Sequence, residues 1–325
     1  MNIEYKQAII HVLDEKSSQP IISNGTLEIY ADNESFLTKH MLNLFDNINV
    51  SPAQFNDDSD LLDLIVNFHD GSFLDFSKIV AQKFYDYMRK LSSFHGGDLL
   101  FTHFIKDDLS YLGIFLLNYK DEFTHKININ SAGTGTTEII KCHGILPSKQ
   151  KVTEAVLINL ETRQLNILDK SKEPYLCDLL DLDKEMSIKE KIDVIDEATR
   201  EIILENFDNP TETLANFKTH IATNIIEHNE IPVQKIIDDT FFDLDEIKEA
   251  CQSRISEYGL KDDKIVIENA KEAKKYVSHQ IKTDTGIELK LPTELANNVN
   301  VIEFLPNEDG TTNIILKNIS EFFSK

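Results

Sequence analysis

Short runs and alternating patterns of apolar residues dominate the first half of the chain, and such patterns predict β-strands. The predicted strands cover residues 4–13, 26–30, 99–105, 111–119, 126–130, 138–146, 155–160 and 164–169. Between the second and the third of them, apolar positions recur at the spacing of amphipathic helices. The predicted helices there run from caps at residues 32–33 to about residue 48, from 59 to 68 and from 72 to 91. The first two strands are expected to pair as a hairpin.

The second half of the chain has the periodicity of helices. Ser187 and Glu190 stand in the pattern of a capping box, in which each side chain bonds the backbone N–H of the other residue. Pro210 predicts the first turn of the next helix, because proline fits the first helical position. A further helix is predicted from about residue 269 to 281, and the C-terminus returns to strands at 287–291, 299–305 and 313–317.

The order of these elements predicts an α+β fold and not a series of βαβ units. We expect an N-terminal domain over residues 1–170, with an antiparallel sheet and covering helices. A C-terminal domain over residues 171–325 is expected to be mostly helical and to end in a small antiparallel sheet. Charge changes at the same place, because residues 1–170 carry 15 basic and 23 acidic residues, a net −8, while residues 171–325 carry 18 and 33, a net −15.

The amino-acid composition limits further the classes of function that the chain can have. The 325 residues include 33 basic and 56 acidic ones, so the formal net charge is 33 − 56 = −23. Such a chain lacks a polybasic coat for nucleic acid, although a local cationic patch remains compatible with it. Cys142, Cys177 and Cys251 show no CxxC spacing, which fits a reducing compartment. Apolar runs are short and charges interrupt the N-terminus, so we expect a cytoplasmic protein without a membrane span or a signal peptide.

Enzyme motifs are weak in this sequence. The Gly-Thr-Gly at residues 133–135 lacks the third glycine of a dinucleotide fingerprint and the lysine of a P-loop, and no Gly-x-Ser-x-Gly occurs. The sequence therefore predicts no catalytic residue, no resident metal and no cofactor. One alternative is a metal-dependent enzyme, because His103, His125 and His143 fall in the predicted meander, where a suitable register brings side chains of neighbouring strands together.

A first group of lysines is a candidate DNA contact. On the predicted helix that starts near residue 269, Lys271, Lys275, His279 and Lys282 stand at i, i+4, i+8 and i+11 and follow one face, with Lys274 beside them. A stripe of lysines can follow a phosphate backbone, with little base specificity because lysine meets phosphate as a point charge. The same pattern is also typical of a solvated helix face with cations near its C-terminal end.

A second group of lysines lies after the predicted strand at 138–146. Lys141, Lys149 and Lys151 occur with His143 in a segment that contains no acidic residue, which gives it a local charge of +3 with the histidine neutral. We therefore regard these lysines as further candidate DNA contacts.

The order of apolar segments resembles that of a known protein family. The segments are the opening strand Ala-Ile-Ile-His-Val-Leu at residues 8–13, the pair at 99–104 and 112–118, and the closing segments at 286–290 and 313–317. This layout, along nearly the whole chain, resembles the bacterial nucleoid-associated proteins of the NdpA/YejK type. The resemblance implies a cytoplasmic protein that co-locates with the chromosome, has no known catalysis, and binds DNA or a DNA-handling partner.

These observations leave three hypotheses for the function. The first is a non-enzymatic nucleoid-associated protein that binds DNA weakly and without strong sequence preference, or that reaches the chromosome through a basic partner such as a DNA-processing enzyme. The second is the metal-dependent enzyme with the three histidines. The third is an oligomeric scaffold, because many short strands offer edges that can pair across a two-fold axis.

Overall fold

The computed structural model describes residues 3–92, 96–129, 131, 133, 135–144, 151–208, 210–267, 278–292, 295, 298, 300–307 and 311–321. It divides into two compact units, Met1–Phe45 with Val50–Glu185 and Asp46–Asn49 with Met186–Lys325. Residues 171–185, which the sequence analysis groups with the C-terminal domain, therefore pack with the first unit. A boundary between independently folding domains near residue 170 stays a prediction.

Antiparallel strands form the framework of the first unit. In its described residues they are β1 (Ile3–Leu13), β2 (Ser51–Phe55), β3 (Gly97–Lys106), β4 (Leu109–Asn118), β5 (Lys120–Ile129), β6 (Gly135–Gly144), β7 (Glu154–Asn159), β8 (Leu165–Asp169) and β9 (Leu182–Lys184). All except β5 and β6 form one seven-stranded sheet in the spatial order β1-β3-β4-β7-β8-β2-β9. β5 and β6 pair with each other as a separate two-stranded sheet, called the ribbon below.

Helices cover both faces of the seven-stranded sheet. They are α1 (Ala31–Phe45), α2 (Asp60–Val66), α3 (Phe73–Met88) and α4 (Leu176–Leu180). One face carries Leu99 and Phe101 and shares a core with α2, α3 and α4, while the other carries Leu100 and Phe104 and shares a core with α1. Because side chains alternate across a strand, a strand such as β3 that is covered on both faces is buried at consecutive positions, here from Gly97 to Phe104. The predicted antiparallel sheet with covering helices is confirmed.

The second unit is mostly helical and ends in small antiparallel sheets, as predicted. Its elements among the described residues are α5 (Ile188–Asn206), α6 (Pro210–His228), β10 (Glu230–Pro232), α7 (Val233–Thr240), α8 (Asp245–Glu257), β11 (Lys264–Val266), β12 (Ser278–Lys282), β13 (Glu288–Pro292), β14 (Ile302–Pro306) and β15 (Thr312–Leu316). The helices α5 to α8 and the pair β10-β11 enclose its core, in which Phe217, Ile236 and Phe241 are fully buried. β12 pairs with β13, and β14 with β15.

The predicted capping box starts α5. The Ser187 hydroxyl accepts the Glu190 backbone N–H at 3.1 Å, and the Glu190 carboxylate accepts the Ser187 N–H at 2.7 Å. We expect Ser187→Ala to lower the free energy of unfolding by about 1 kcal/mol, because it leaves a helix N–H without its cap. Urea unfolding followed by circular dichroism measures the change. Glu197→Ala, on the exposed side of α5, is the control, and an equal loss in both variants would contradict the prediction.

The predicted strand at residues 26–30 is wrong. This part of the chain meets the outer edge of β1 only at single points. These contacts join Ile21 to Val12, the Ser23 hydroxyl to the carbonyl of Ile10, the Ser23 N–H to Nδ1 of His11, and the Leu27 N–H to the carbonyl of Ala8. Leu27 and Tyr30 are exposed, and an alternating pattern without a buried face does not specify a strand.

The helix predicted from about 269 to 281 is wrong at its C-terminal end. Residues 278–282 form β12, which turns back into β13 through a left-handed Gly286, with φ of 88°. His279 and Lys282 stand three residues apart on a strand, so their positions belong to opposite faces and not to one stripe. Residues 268–277, which include Lys271, Lys274 and Lys275, lie outside the described residues.

Candidate nucleic-acid interface

The ribbon follows directly from β4, an inner strand of the seven-stranded sheet. β4 ends at Asn118 and β5 begins at Lys120, opposite Gly144 of β6. Ten residue pairs then follow without a register shift, as far as Ile129 opposite Gly135. At about 3.3 Å per residue the ribbon is about 30 Å long. Such a two-stranded arm has the dimensions that the major groove of B-DNA admits.

The root of the ribbon is fixed by a buried polar cluster. The Asn118 amide donates to Thr153 Oγ1 at 3.4 Å and to Glu154 Oε1 at 2.9 Å, and the Tyr175 hydroxyl donates to Glu154 Oε2 at 2.8 Å. Burial raises the pKa of Glu154, and the hydrogen bonds from Asn118 and Tyr175 oppose this rise. The cluster therefore ties the start of β7 to the end of β4, where the ribbon emerges.

Lys141 and Lys151 belong to this root. Lys141 lies on β6 opposite Phe123, three register positions or about 10 Å from the start of the ribbon. Lys151 precedes Thr153 of the buried cluster by two residues, and both lysines are exposed. The lysines are thus placed at the same end of the sheet, while Lys149 lies outside the described residues. The acid-free sequence around them bears a charge of +3 in a chain of −23.

The two faces of the ribbon differ in chemistry. One face carries Glu122, Lys126 and Glu138 among threonine and asparagine residues, and Lys126 stands directly opposite Glu138. The other face has four exposed apolar side chains and, from Phe123 to its tip, no acidic residue. We call it the apolar face, and its apolar members are Phe123, Ile127, Ile129 and Ile139. Sequence reasoning missed this surface, because alternation in a strand does not reveal whether its apolar side is covered.

The three histidines of the metal-site hypothesis are not brought together. His103 lies on β3 of the seven-stranded sheet, whereas His125 and His143 lie on the ribbon, four register positions apart. Within the described residues no three His, Cys, Asp or Glu side chains gather in a geometry that could hold a metal ion. The structure therefore gives this hypothesis no site.

His103 has a structural environment instead. Its Nε2 bonds Ser110 Oγ at 2.9 Å across the β3-β4 hairpin, and its Nδ1 lies 3.5 Å from Asp70 Oδ1. Burial lowers the pKa of His103, and the exposed Asp70 carboxylate opposes the shift. A buried histidine with a lowered pKa is neutral at pH 7 and stabilises the hairpin through its hydrogen bond.

A groove lies along α3 and α4. This groove of about 830 Å³ is bordered by charges of both signs, Lys78, Lys83, Lys90, Asp86, Asp178 and Asp181. Interspersed carboxylates repel a phosphate backbone, so the groove is a poorer candidate for nucleic acid than the lysines of residues 141–151, a segment without acidic residues.

Lys282, the remaining predicted DNA contact, is the last residue of β12. It pairs in register with Glu288 of β13.

In the ranges that the structure describes, no helix combines the length and the apolar character that crossing a bilayer requires.

Comparison with known proteins supports the family resemblance. The sequence model of the family described as "Nucleoid-associated protein YejK" (NA37) matches residues 9–323. The match spans nearly the whole chain, from β1 to the residues beyond β15. No curated protein matches the chain.

Proposed function

The chain belongs to the YejK family of nucleoid-associated proteins, and from this premise we propose that it binds duplex DNA directly, without catalysis, through the lysines at the root of the ribbon. The single observation that carries the proposal is the position of Lys141 and Lys151 on an acid-free segment where a two-stranded arm leaves the sheet. The protein then resides in the cytoplasm, on the nucleoid.

The net charge of −23 does not prevent this contact. At physiological salt the Debye length is about 8 Å, so carboxylates farther away are largely screened while a lysine in contact with a phosphate is not. The binding is modest in affinity because few cations take part. It has little sequence preference, because lysine reads phosphate and not base edges and the chain carries only four arginines.

We expect Lys141→Ala with Lys151→Ala to weaken DNA binding and to flatten its salt dependence. Each lysine that leaves a phosphate removes about 0.9 from the slope of log K against log salt, so the slope of the double variant becomes shallower by about 2. Fluorescence anisotropy of a labelled duplex, titrated with the full chain between about 50 and 200 mM salt, measures the slope.

Lys6→Ala with Lys39→Ala is the matched control, because it removes two exposed lysines and the same net charge at the other end of β3, where Tyr5 pairs with Phe104 and bonds Thr38. Its slope is expected to remain that of the unaltered chain. Equal slopes for all three proteins would refute the assignment of the DNA contact to the ribbon root.

Association through a basic protein partner is the second candidate route. Phe242, in the turn between α7 and α8, is 77% exposed, and its neighbours in sequence include the acidic residues Asp238, Asp239, Asp243 and Asp245. An exposed aromatic residue with acidic neighbours in sequence suits a cationic protein surface, since aromatic side chains are favoured anchors of interfaces. If the unaltered chain shows no DNA binding in the salt series, this route replaces direct binding.

A further inference from the structure

The apolar face of the ribbon is a continuous exposed surface. Its four apolar side chains are 74% exposed at Phe123, 57% at Ile127, 72% at Ile129 and 81% at Ile139. The register places them on the same side, because Phe123 stands opposite Lys141, and His125 opposite Ile139. Contiguous apolar surface of this kind marks an interaction site in soluble proteins.

Nothing in the described part of the chain covers this face. β5 and β6 pair only with each other there, and none of the four side chains belongs to a buried core of the protein. A two-stranded sheet is marginally stable alone and gains stability when its apolar side is packed against another layer. The ribbon therefore presents a sheet face that lacks its second layer.

The distribution of charge favours a second copy of this chain as the layer that covers the apolar face. A duplex would need several cations on the face, whereas Lys141 is the only lysine or arginine that the register places there between Phe123 and Ile129. Two chains of −23 repel each other over most of their surfaces, whereas this face carries no carboxylate between Phe123 and the tip. It is therefore the place where two copies approach with the least repulsion.

A two-fold axis makes the face complementary to itself. An axis that lies between the two faces, parallel to them and perpendicular to the strands, arranges the two ribbons antiparallel. Lys141 of each copy then lies at the rim beside the uncharged tip of the other, and its ammonium group extends past the interface to solvent. The row of Lys141 and Phe123 lies six residues, or about 20 Å, from the tip row of Ile129 and Gly135. The two Lys141 ammonium groups are thus held far apart.

We propose that a second copy of this chain docks on the apolar face, ribbon against ribbon, with the sheets about 10 Å apart. The area of the face, about 30 Å by 10 Å, is smaller than the area of roughly 800 Å² that each partner buries in a standard interface. The dimer is therefore reversible and dissociates on dilution. It carries two lysine-bearing ribbon roots, which raises avidity for DNA without any new contact, although dimer formation itself requires no DNA.

Sedimentation equilibrium of the full chain without DNA tests the proposal. We expect the average mass to rise from that of one chain, 37.2 kDa, toward twice that value as the concentration increases from about 1 to about 100 μM. Ile139→Asp, on the apolar face, is expected to stay monomeric over the same range. Thr136→Asp, which adds the same charge on the opposite face of β6, is the matched control and is expected to dimerise like the unaltered chain.

Two results would overturn the proposal. One is an unaltered chain that stays monomeric throughout, and loss of DNA binding by Ile139→Asp in that case would identify DNA as the occupant of the face. The other is dimerisation of all three proteins, which would place the interface elsewhere.

Cross-linking keeps the test decisive if Ile139→Asp fails to fold. In a background with Cys142→Ser, a cysteine replaces Thr137 on the apolar face or Thr136 on the opposite face, and a short bis-maleimide reagent is added. We expect a cross-linked dimer from Thr137→Cys and little from Thr136→Cys. Equal yields would contradict docking through the apolar face. Failure of the DNA titration above leaves this outcome unchanged, so the two proposals are tested separately.

Discussion

Replacement of Gly113 by valine is expected to lower the free energy of unfolding by about 3 kcal/mol, the upper part of the range for overpacked cores. Gly113 lies on β4, between β3 and β7 in the sheet. A Cβ atom at this position would lie 2.5 Å from Cε2 of Phe115 and 2.7 Å from Oγ1 of Thr102. Both neighbours are fully buried, so neither side chain can move away into solvent.

Denaturant unfolding monitored by circular dichroism measures this loss. Gly25→Val is the matched control, because a Cβ atom at Gly25 meets nothing within 4 Å and the residue does not have a left-handed backbone. It is expected to change stability by less than about 0.5 kcal/mol. If Gly113→Val were as stable as the control, the close packing of Phe115 and Thr102 around Gly113 would be wrong.

Acidification is expected to destabilise the protein through His11, by about 3 kcal/mol at pH 4. His11 is fully buried on β1, where Nδ1 accepts the Ser23 N–H at 3.1 Å and Nε2 bonds Ser77 Oγ at 3.0 Å. Ser77 donates its own hydroxyl proton to the carbonyl of Leu74, so Nε2 carries the proton of the neutral ring. A second proton on Nδ1 would oppose the Ser23 N–H.

The direction in which stability changes with pH follows from proton binding in the folded and unfolded states. Burial, with a smaller contribution from the positive charge of Lys78, lowers the pKa of His11 from 6.5 to about 4. Between these values the unfolded chain binds a proton that the folded chain does not, so stability falls as pH falls from about 6.5 toward 4. Burial also lowers the pKa values of His40 and His103 and adds to the effect.

Two buried carboxyl groups act in the opposite direction. Burial raises the pKa values of Asp98 and Glu154, so the folded state takes up protons that the unfolded state still lacks, and stability rises as pH falls through their folded-state values. Comparison of the unaltered chain with His11→Gln removes these shared contributions. Urea unfolding at pH values from 7 to 4 is expected to show a flatter profile for His11→Gln, and parallel profiles would refute the assignment to His11.

Local chemistry made the individual elements predictable. The capping residue Ser187 and the amphipathic spacing of α3 act within a few residues, and both appear in the structure where the sequence places them. The two strands 99–105 and 111–119 were also predicted, and the turn that joins them as β3 and β4 uses Asp107 and Asp108 in left-handed conformations, with φ of 51° and 64°. Aspartate tolerates this conformation better than most residues, so the signal was present in the sequence.

Pairing between distant segments was not predictable in this way. β2 contains Pro52 and was not among the predicted strands, yet it pairs with β8 and with the three-residue β9. The pattern of so short a strand is too weak to detect, and its two partners are about 115 and about 130 residues away in sequence. The error at the C-terminal end of the helix predicted over 269–281 has a related cause, because β12 at residues 278–282 depends on its pairing with β13.

The candidate site was likewise predictable only in part: its charge could be read from the sequence, but the exposure of its side chains could not. Lys141 and Lys151 were recognised by their charge, which is a property of the sequence alone. The exposure of Ile139 was not, since an isoleucine on a strand is usually buried and only the three-dimensional fold shows that this one is not. Likewise, the sequence could not show that His103 and His125 belong to different sheets.

The irregular segment beside β1 has a consequence for the behaviour of the protein at high concentration. An edge strand of eleven residues is an open template on which further strands can assemble into fibres. Here the carbonyls of Ala8, Ile10 and Val12 are already occupied by a segment that includes Pro20 and has no regular edge of its own. With only three residues in β9 at the opposite margin, growth of the sheet into an insoluble polymer is blocked on both sides.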